Sequence, residues 1–548
     1  MSNSLSRVAR PAAPCLVAAA VAALLAACGD TTTGGPAPGS ATATLTAGDD
    51  AEAAWHVQRA VAITLADGNG RVVPPAAVTC AAQDATRLVV AADCSSVTAL
   101  HLGSLVVVAS GNGVSANVTL RGVPQRQWSG MHGVAGGDPA GGYGLAVTPD
   151  GHVVAWGANA QGVLAQGQSQ QQLAFLAVPT VTLDQTGTTP FINALQSSAG
   201  TDTAGALRGD GTIWAWGGNA QLQLGSHDSV PEADLPREVS AATGSGGLSH
   251  VVQMEFGSLN CVALIDDGTV ITWGADGASG VSTPTVPTQA LGVDAAGALM
   301  RIVQVSAGGG VTLALTADGQ VLSWGDDQGQ GRLGMGRVRG APMPTPTPVM
   351  RADGTPLTGI VQLSAGDDFS LALAADGTVW AWGVDRHGQA GQGTVGGVRA
   401  GAVQVLAAPG VPLARIAMVA AGGDHALALD VDGGVWAWGL ATHGQLGDGA
   451  GRPVVVDTGV PRAVVDEAGD GAALAGVVSI AAGYEASFAL KADGTVLSWG
   501  RNASSGLGRP TPGDADDPTP AAMAGIGDGG GTLVLSPAAY QNLLRRGR

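Results

Sequence analysis

The residues able to do chemistry in this chain of 548 are few, and most stand at matched places in neighbouring stretches. His387 and His443 fall in "VDRHGQAGQG" (384–393) and "LATHGQLGDG" (440–449), each just after a Trp-Gly pair. Two imidazoles held at equivalent points could share a metal ion. No carboxylate keeps a fixed spacing from them, however, and loop histidines are ordinarily solvated. Asp326 and Asp327 open a third loop of this kind, "DDQGQGRLG" (326–334), and Arg386 precedes His387. Asp367, Asp368, Asp424 and Glu485 line up near the start of a predicted strand. Ringed on one face they would make an acidic surface that attracts a basic partner; singly, each could cap a glycine-rich turn. Asp326, Asp327, Asp368, Arg386, His387, Asp424, His443 and Glu485 are therefore the candidate binding positions. Phosphate-binding loops, "GxSxG" elbows, "HExxH" helices, "DxDxDG" loops and carboxylate pairs at a characteristic spacing are missing from the sequence. The expectation is no catalytic residue, no metal and no cofactor.

The elements that would position these residues announce themselves by repetition. Seven Asp-Gly pairs, beginning at Asp150, Asp210, Asp267, Asp318, Asp376, Asp432 and Asp493, are each followed six residues after the Asp by Trp-Gly. The tryptophans are Trp156, Trp216, Trp273, Trp324, Trp382, Trp438 and Trp499, between 51 and 61 residues apart. Spacing this constant marks seven structural repeats. Three positions after the Asp the residue is Val or Ile, four after it is bulky, and five after it is small: Ala, Ser or Thr. In a strand alternate residues face opposite sides, so this strand is packed on both faces. Asp-Gly reads as a two-residue turn reversing into it from an upstream partner such as "LALAA" or "LALDV". The recurring octet, "DGTVWAWG" at 376–383, is thus a hairpin and packing wedge, not a reactive motif. Doubly covered hairpins repeated seven times close into a ring of radial sheets.

Repeat six, "VAAGGDHALALDVDGGVWAWGLATHGQLGDG" (419–449), resembles the repeat of the regulator of chromosome condensation family. The likeness runs over 125–527 and implies a seven-bladed β-propeller whose last blade shares strands with residues near 125–134. The family's repeat histidine is matched only by His425; aligned positions hold Tyr143, Thr203, Asn260, Val311, Phe369 and Ala486. In the family that histidine usually has a structural role. Nuclear members catalyse nucleotide exchange on a small GTPase, others inhibit secreted enzymes through one rim, and many are interaction modules. The tail 528–548 has no repeat counterpart.

Ahead of the repeats, Arg7 and Arg10 precede an apolar run, "CLVAAAVAALLAA" (15–27), too short to span a bilayer comfortably and suited to a secretory signal, 1–27. It ends in "LAAC" (25–28), which resembles the lipobox of bacterial lipoproteins and implies acylation of Cys28, with a lipid bilayer as partner. Gly29 lacks the aspartate linked to inner-membrane retention, so the outer membrane or cell surface is expected. Residues 28–40 read as a flexible tether. Residues 41–122 alternate like short strands and close on "GNGVSANVTL" (111–120), which resembles bacterial immunoglobulin-like domains and implies a small β-sandwich. Export permits a disulfide between Cys80 and Cys94, leaving Cys261 as a buried apolar residue. The chain is thus expected to be all-β, a seven-bladed propeller behind an immunoglobulin-like module. A net charge of -18 without a Lys/Arg stripe argues against nucleic acid. The function expected is binding of a protein partner of basic character by a monomeric, lipid-anchored propeller. A hydrolase or lyase in the central shaft is the alternative reading, and nucleotide exchange the least favoured.

Overall fold

The computed structural model describes residues 42–45, 52–54, 58–60, 63–66, 71–83, 85, 88–99 and 103–123. It further describes 142–535 apart from 169–171, 227–229, 242–245, 276–285, 296, 450–456, 470 and 528–530. The expected signal peptide, Cys28, the tether, the proposed closing segment 125–134 and the tail beyond 535 lie outside the described residues. Those residues form two compact units, one drawn from segments up to Leu120 and one chiefly from Arg121 onward. No helix among them is long and apolar enough to cross a membrane.

In the first unit Thr42–Leu45 pairs antiparallel with Ile63–Ala66. Thr79–Ala82 pairs with Gly103–Gly111, which turns at Asn112 and Gly113, both at positive φ, into Val114–Val123. That is the two-residue turn whose twist suits a hairpin. Leu65, Leu88, Val97, Val107 and Ala109 are buried, and Cys80 and Cys94 form a disulfide with Cα atoms 5.1 Å apart. The likeness to immunoglobulin-like domains rests on the sequence motif alone.

The second unit is seven consecutive antiparallel sheets, one per repeat. Each of blades two to seven is a four-stranded meander; blade five runs Ile360–Ala365, Phe369–Ala374, Val379–Val384 and Val398–Gln404. Blade one shows three strands, Tyr143–Val147, Val153–Ala158 and Phe175–Val181. Asp-Gly does not make a two-residue turn. It sits inside a four-residue loop, 375–378 in blade five, where the Asp376 carboxylate accepts the N–H (3.0 Å) and hydroxyl (2.7 Å) of Thr378. The carboxylate needs room to fold back on the residue two ahead, and a tighter turn would deny it.

The Trp-Gly pair now has a physical account. All seven tryptophans are at most 1% exposed, each wedged between blades. Six donate their indole N–H to a backbone carbonyl of the preceding blade, as Trp382 does to Arg332 at 3.0 Å. For Trp324 the matching loop, 276–285, lies outside the described residues. The glycine after each Trp has φ between +88° and +119° and sits at a register shift in six blades. A Cβ there would strike the carbonyl just before the neighbouring strand, Asp368 O in the case of Gly383. Only glycine fits such a bulge.

Blades are also pinned by buried glutamines that the sequence reading did not single out. Gln196, Gln253, Gln304 and Gln362 on the innermost strands each exchange two hydrogen bonds with the next blade's backbone, for instance Gln304 with Leu363 at 3.1 and 2.9 Å. Among the described residues the ring closes at the seam between blades seven and one. Blade seven builds all four strands from its own sequence, 477–482, 486–491, 496–500 and 517–522. Trp156 of blade one packs edge-on to Phe488 with centroids 6.2 Å apart, and its indole bonds Gly506 O. Leu533 and Leu535, which the sequence left in an unplaced tail, are buried in this seam with Met523 and Leu490.

Candidate binding face at the mouth of the propeller shaft

The innermost strands end in Ala-Gly or a close variant, and their glycines ring one end of the shaft. Gly200, Gly257, Gly308, Gly366, Gly422 and Gly483 follow one another from blade two to blade seven. In five of these a Cβ would collide with the carbonyl of the next glycine in the series, so the wall is backbone packed on backbone. They enclose a cavity of about 60 Å³. That lies far below the ~300–1,000 Å³ of ordinary small-molecule pockets.

Carboxylates gather at this mouth. Asp367 lines the cavity and accepts a hydrogen bond from the Ser258 hydroxyl at 3.1 Å, reaching from blade five to blade three across the Gly309-Gly310 pair of blade four. Burial pushes its carboxyl up, and the neighbouring Asp368 adds to the shift. Asp368 pairs with Arg332, whose guanidinium also donates to Gly309 O at 2.6 Å. Asp424 accepts from the Gln389 amide at 2.7 Å; burial raises its carboxyl too, and nearby His387 works against the rise. Glu485 pairs with Arg501, and His443 Nε2 stands 3.4 Å away. Tyr484, half-buried beside them, has its phenol pushed up to about 12 by burial and by Asp367, Asp424, Glu485 and Asp368. Asp368, Asp424 and Glu485, at one aligned position, thus lie with Asp367 about Tyr484; Asp202 of blade two holds the same aligned position, and burial raises its carboxyl also.

The other candidate positions sort into structural roles. Asp327 is fully buried, its carboxylate accepting the N–H groups of Leu333 (3.2 Å) and Arg339 (2.5 Å). Asn159, Asn219, Asp385 and Asn502 staple the equivalent loops. Asp326 caps the N–H of Gln328 at 3.1 Å, and exposed Arg386 reaches Gln330 at 3.2 Å. The histidines do have matched carboxylates in space, though at no fixed spacing in sequence. His387 Nδ1 is 2.6 Å from Asp457 and His443 Nδ1 is 2.6 Å from Asp516, acids on the outer side of their blades, 70 and 73 residues downstream. Variable loop lengths hid that pairing. Among the described residues no group of three potential ligands is placed to hold a metal.

His425 lies behind the shaft wall, fully buried, its Nε2 2.8 Å from the Ser487 hydroxyl of blade seven. Burial pulls its imidazole down to about 4, so it is neutral at physiological pH. Tyr143 and Asn260 at the aligned positions likewise bond the next blade, through Gly200 O and Thr312. Where it holds His425, Tyr143 or Asn260, the repeat histidine position is a blade-to-blade bridge. Cys261 is buried, its thiol 3.5 Å from Gln223 O. Tyr484, Ser258 and Arg332 were missed because their columns vary from blade to blade.

Residues 223–532, more than half of the chain, match the RCC1-like domain model. The chain belongs to the RCC1-like domain family. Among its RCC1-like relatives, the mitochondrial RCC1 domain-containing protein RUG3 of Arabidopsis thaliana is 31% identical over 310 residues, covering 55% of this chain and 64% of that one. The human E3 ubiquitin-protein ligase HERC2 is 30% identical over 309 residues, covering 56% of this chain and only 6% of the ligase. The match thus spans less than two thirds of either relative. Solved RCC1-like folds include Prp20p of Saccharomyces cerevisiae (TM-score 0.56, 21% identity, 73% of this chain and 94% of that one). Human WBSCR16 (TM-score 0.53, 23% identity, 68% and 95%) has the same fold.

Proposed function

We propose that this RCC1-like chain is an exported, lipid-anchored propeller whose shaft-mouth face binds a protein partner at the bacterial cell envelope. The observation that carries the binding face is the convergence of Asp367, Asp368, Asp424 and Glu485 from three successive blades around Tyr484. With a net charge of -18 the whole molecule reinforces that field and steers a basic partner toward it. Relatives support a protein-interaction or regulatory module, and the yeast Prp20p structure was described together with binding to Gsp1p and histones, both proteins. "LAAC" at 25–28 supports the anchor, and Gly29 supports the outer membrane or surface over the inner membrane. A hydrolase or lyase in the shaft finds less support, since the cavity is small and walled by glycine and alanine. Nucleotide exchange finds least, because a lipid anchor would hold the chain away from the cytosol.

In-cell crosslinking followed by purification of the mature chain tests the reading. One dominant protein recovered in near-equal amount is expected, and Cys28→Ser should move the chain from membranes to the soluble fraction. Recovery of no enriched protein would count against the binding role; a Cys28→Ser chain that stays with membranes would count against the anchor.

A further inference from the structure

One column of the innermost strands changes its chemistry at blade six. In blades two to five it holds Gln196, Gln253, Gln304 and Gln362. In each the amide nitrogen donates to a carbonyl of the next blade while the amide oxygen accepts the N–H of that same residue. Gln362 holds Val419 in this way, at 3.3 and 3.0 Å. Blade six carries Met418 in the column, and the residue of blade seven that matches Val419 is Ile480. A thioether has no N–H to donate and is a weak acceptor, so Met418 cannot hold Ile480 as the glutamines hold their partners. Its polar contact across the seam is the Ser479 hydroxyl, 3.7 Å from Sδ.

Two further features single out this methionine. The four glutamines are at most 5% exposed, whereas Met418 is only partly buried. Ala417 beside it and Val478 on the innermost strand of blade seven are exposed, so a small solute can reach the sulfur. The second feature is covalent. Methionine Sδ stands where glutamine has Cδ, three bonds from Cα. An oxygen added to that sulfur therefore falls where Oε1 of a glutamine would lie, with the methyl group in the place of Nε2. Oxidation turns the weak acceptor into a polar one at the reach this column uses in four other blades.

We propose that Met418 is an oxidation site whose sulfoxide completes the pin between blades six and seven. The co-reactant is hydrogen peroxide. One peroxide oxygen passes to Sδ: the S–O bond forms as the O–O bond breaks, and the sulfur gives up two electrons. The proton of the transferred oxygen moves to the leaving oxygen, which departs as water. The new oxygen accepts the Ile480 N–H, as Gln362 Oε1 accepts that of Val419, and the Ser479 hydroxyl gains a stronger acceptor than sulfur. The methyl group cannot donate, so one of glutamine's two bonds is restored. Sulfoxide in a packed core ordinarily disrupts it; here it tightens a seam, because the column is built around an acceptor at that point.

The test treats the purified chain with hydrogen peroxide at rising dose and maps its methionines by mass. Met300, 58% exposed, should convert first. Met418 should follow, ahead of fully buried Met254 and Met523. Hydrogen exchange at the Ile480 amide should then slow about fivefold, the worth of one net hydrogen bond. Met418→Gln should slow it at least as much without oxidant, and Met418→Leu should leave it unchanged before and after peroxide. A Met418 that stays a thioether at a dose converting Met254 and Met523 overturns the site. Faster exchange at Ile480 in the oxidised chain overturns the pin, as does a Met418→Gln chain that exchanges like the parent. Slowing by peroxide that persists in Met418→Leu assigns the effect to another methionine and overturns the proposal as well.

Discussion

Two buried titratable residues sit in the seams between blades and work against each other. Glu255 occupies the column held by Ser198, Ser306 and Ser364 in other blades, its carboxylate accepting the Ser306 hydroxyl at 2.9 Å and the Ala307 N–H at 3.0 Å. Burial outweighs those bonds and raises its carboxyl from 4.5 to about 7. The folded state therefore holds a proton that the unfolded chain releases, so this contribution to stability is complete below pH 4.5 and lost as pH rises through 7. His425 has the opposite sign. Its imidazole falls from 6.5 to about 4 on burial, so its contribution is complete above pH 6.5 and lost as pH falls through 4. Each amounts to about 3 kcal/mol, and over the shared window they offset. Between pH 4.5 and 6.5 these two contributions to the parent's stability are opposed. Relative to the parent, Glu255→Ser, borrowing the residue of the other blades, should make stability rise more with pH there; His425→Asn, borrowing Asn260, should make it fall more. Melting curves across that range decide the matter, and parallel profiles for the two variants would refute it.

At the scale of the element, the Trp-Gly strand was legible, though its turn was not, because its constraints are local. Trp382 must fill one inter-blade wedge and Gly383 must pass over one carbonyl, so both residue type and spacing are fixed in every copy. Trp382→Ala should cost about 3–5 kcal/mol by cavity formation. Gly383→Ala should cost several kcal/mol, since φ is +105° and the new Cβ meets Asp368 O. Gly340→Ala, in open space, should change little. Denaturant midpoints for the three variants check this ranking. The aligned acids Asp368, Asp424 and Glu485 each stand two residues after the inner-strand glycine, and Asp367 one residue after it, where it lines the cavity. What could not be read was contact across long, uneven loops: His387 with Asp457, His443 with Asp516, Ser258 with Asp367. Asp327 misled because its loop looks exposed, while its carboxylate is turned inward to bond backbone.

For the whole molecule the decisive seam is the one between blades seven and one. At every other seam the chain itself passes from one blade to the next, so a lost contact still leaves the two blades linked. Among the described residues blade seven has no such link to blade one: Trp156 and Gly506, which meet there, are 350 residues apart. What holds this seam among the described residues is the indole bond and an apolar cluster that includes Leu533 and Leu535. Leu533 repeats a position present in other repeats: its N–H bonds Met523 O as that of Leu357 bonds Val349 O. Leu533→Ala and Leu357→Ala remove the same side chain from equally buried sites, each for about 2–5 kcal/mol. Their consequences should differ. Leu357→Ala should lower the denaturant midpoint and keep the slope of the transition, because the ring stays closed and unfolds as one body. Leu533→Ala should lower the slope as well, because an opened ring lets terminal blades detach before the rest, and limited proteolysis should cut first near the seam. Equal slopes and the same cleavage pattern in both variants would mean that the ring is closed by something other than this cluster.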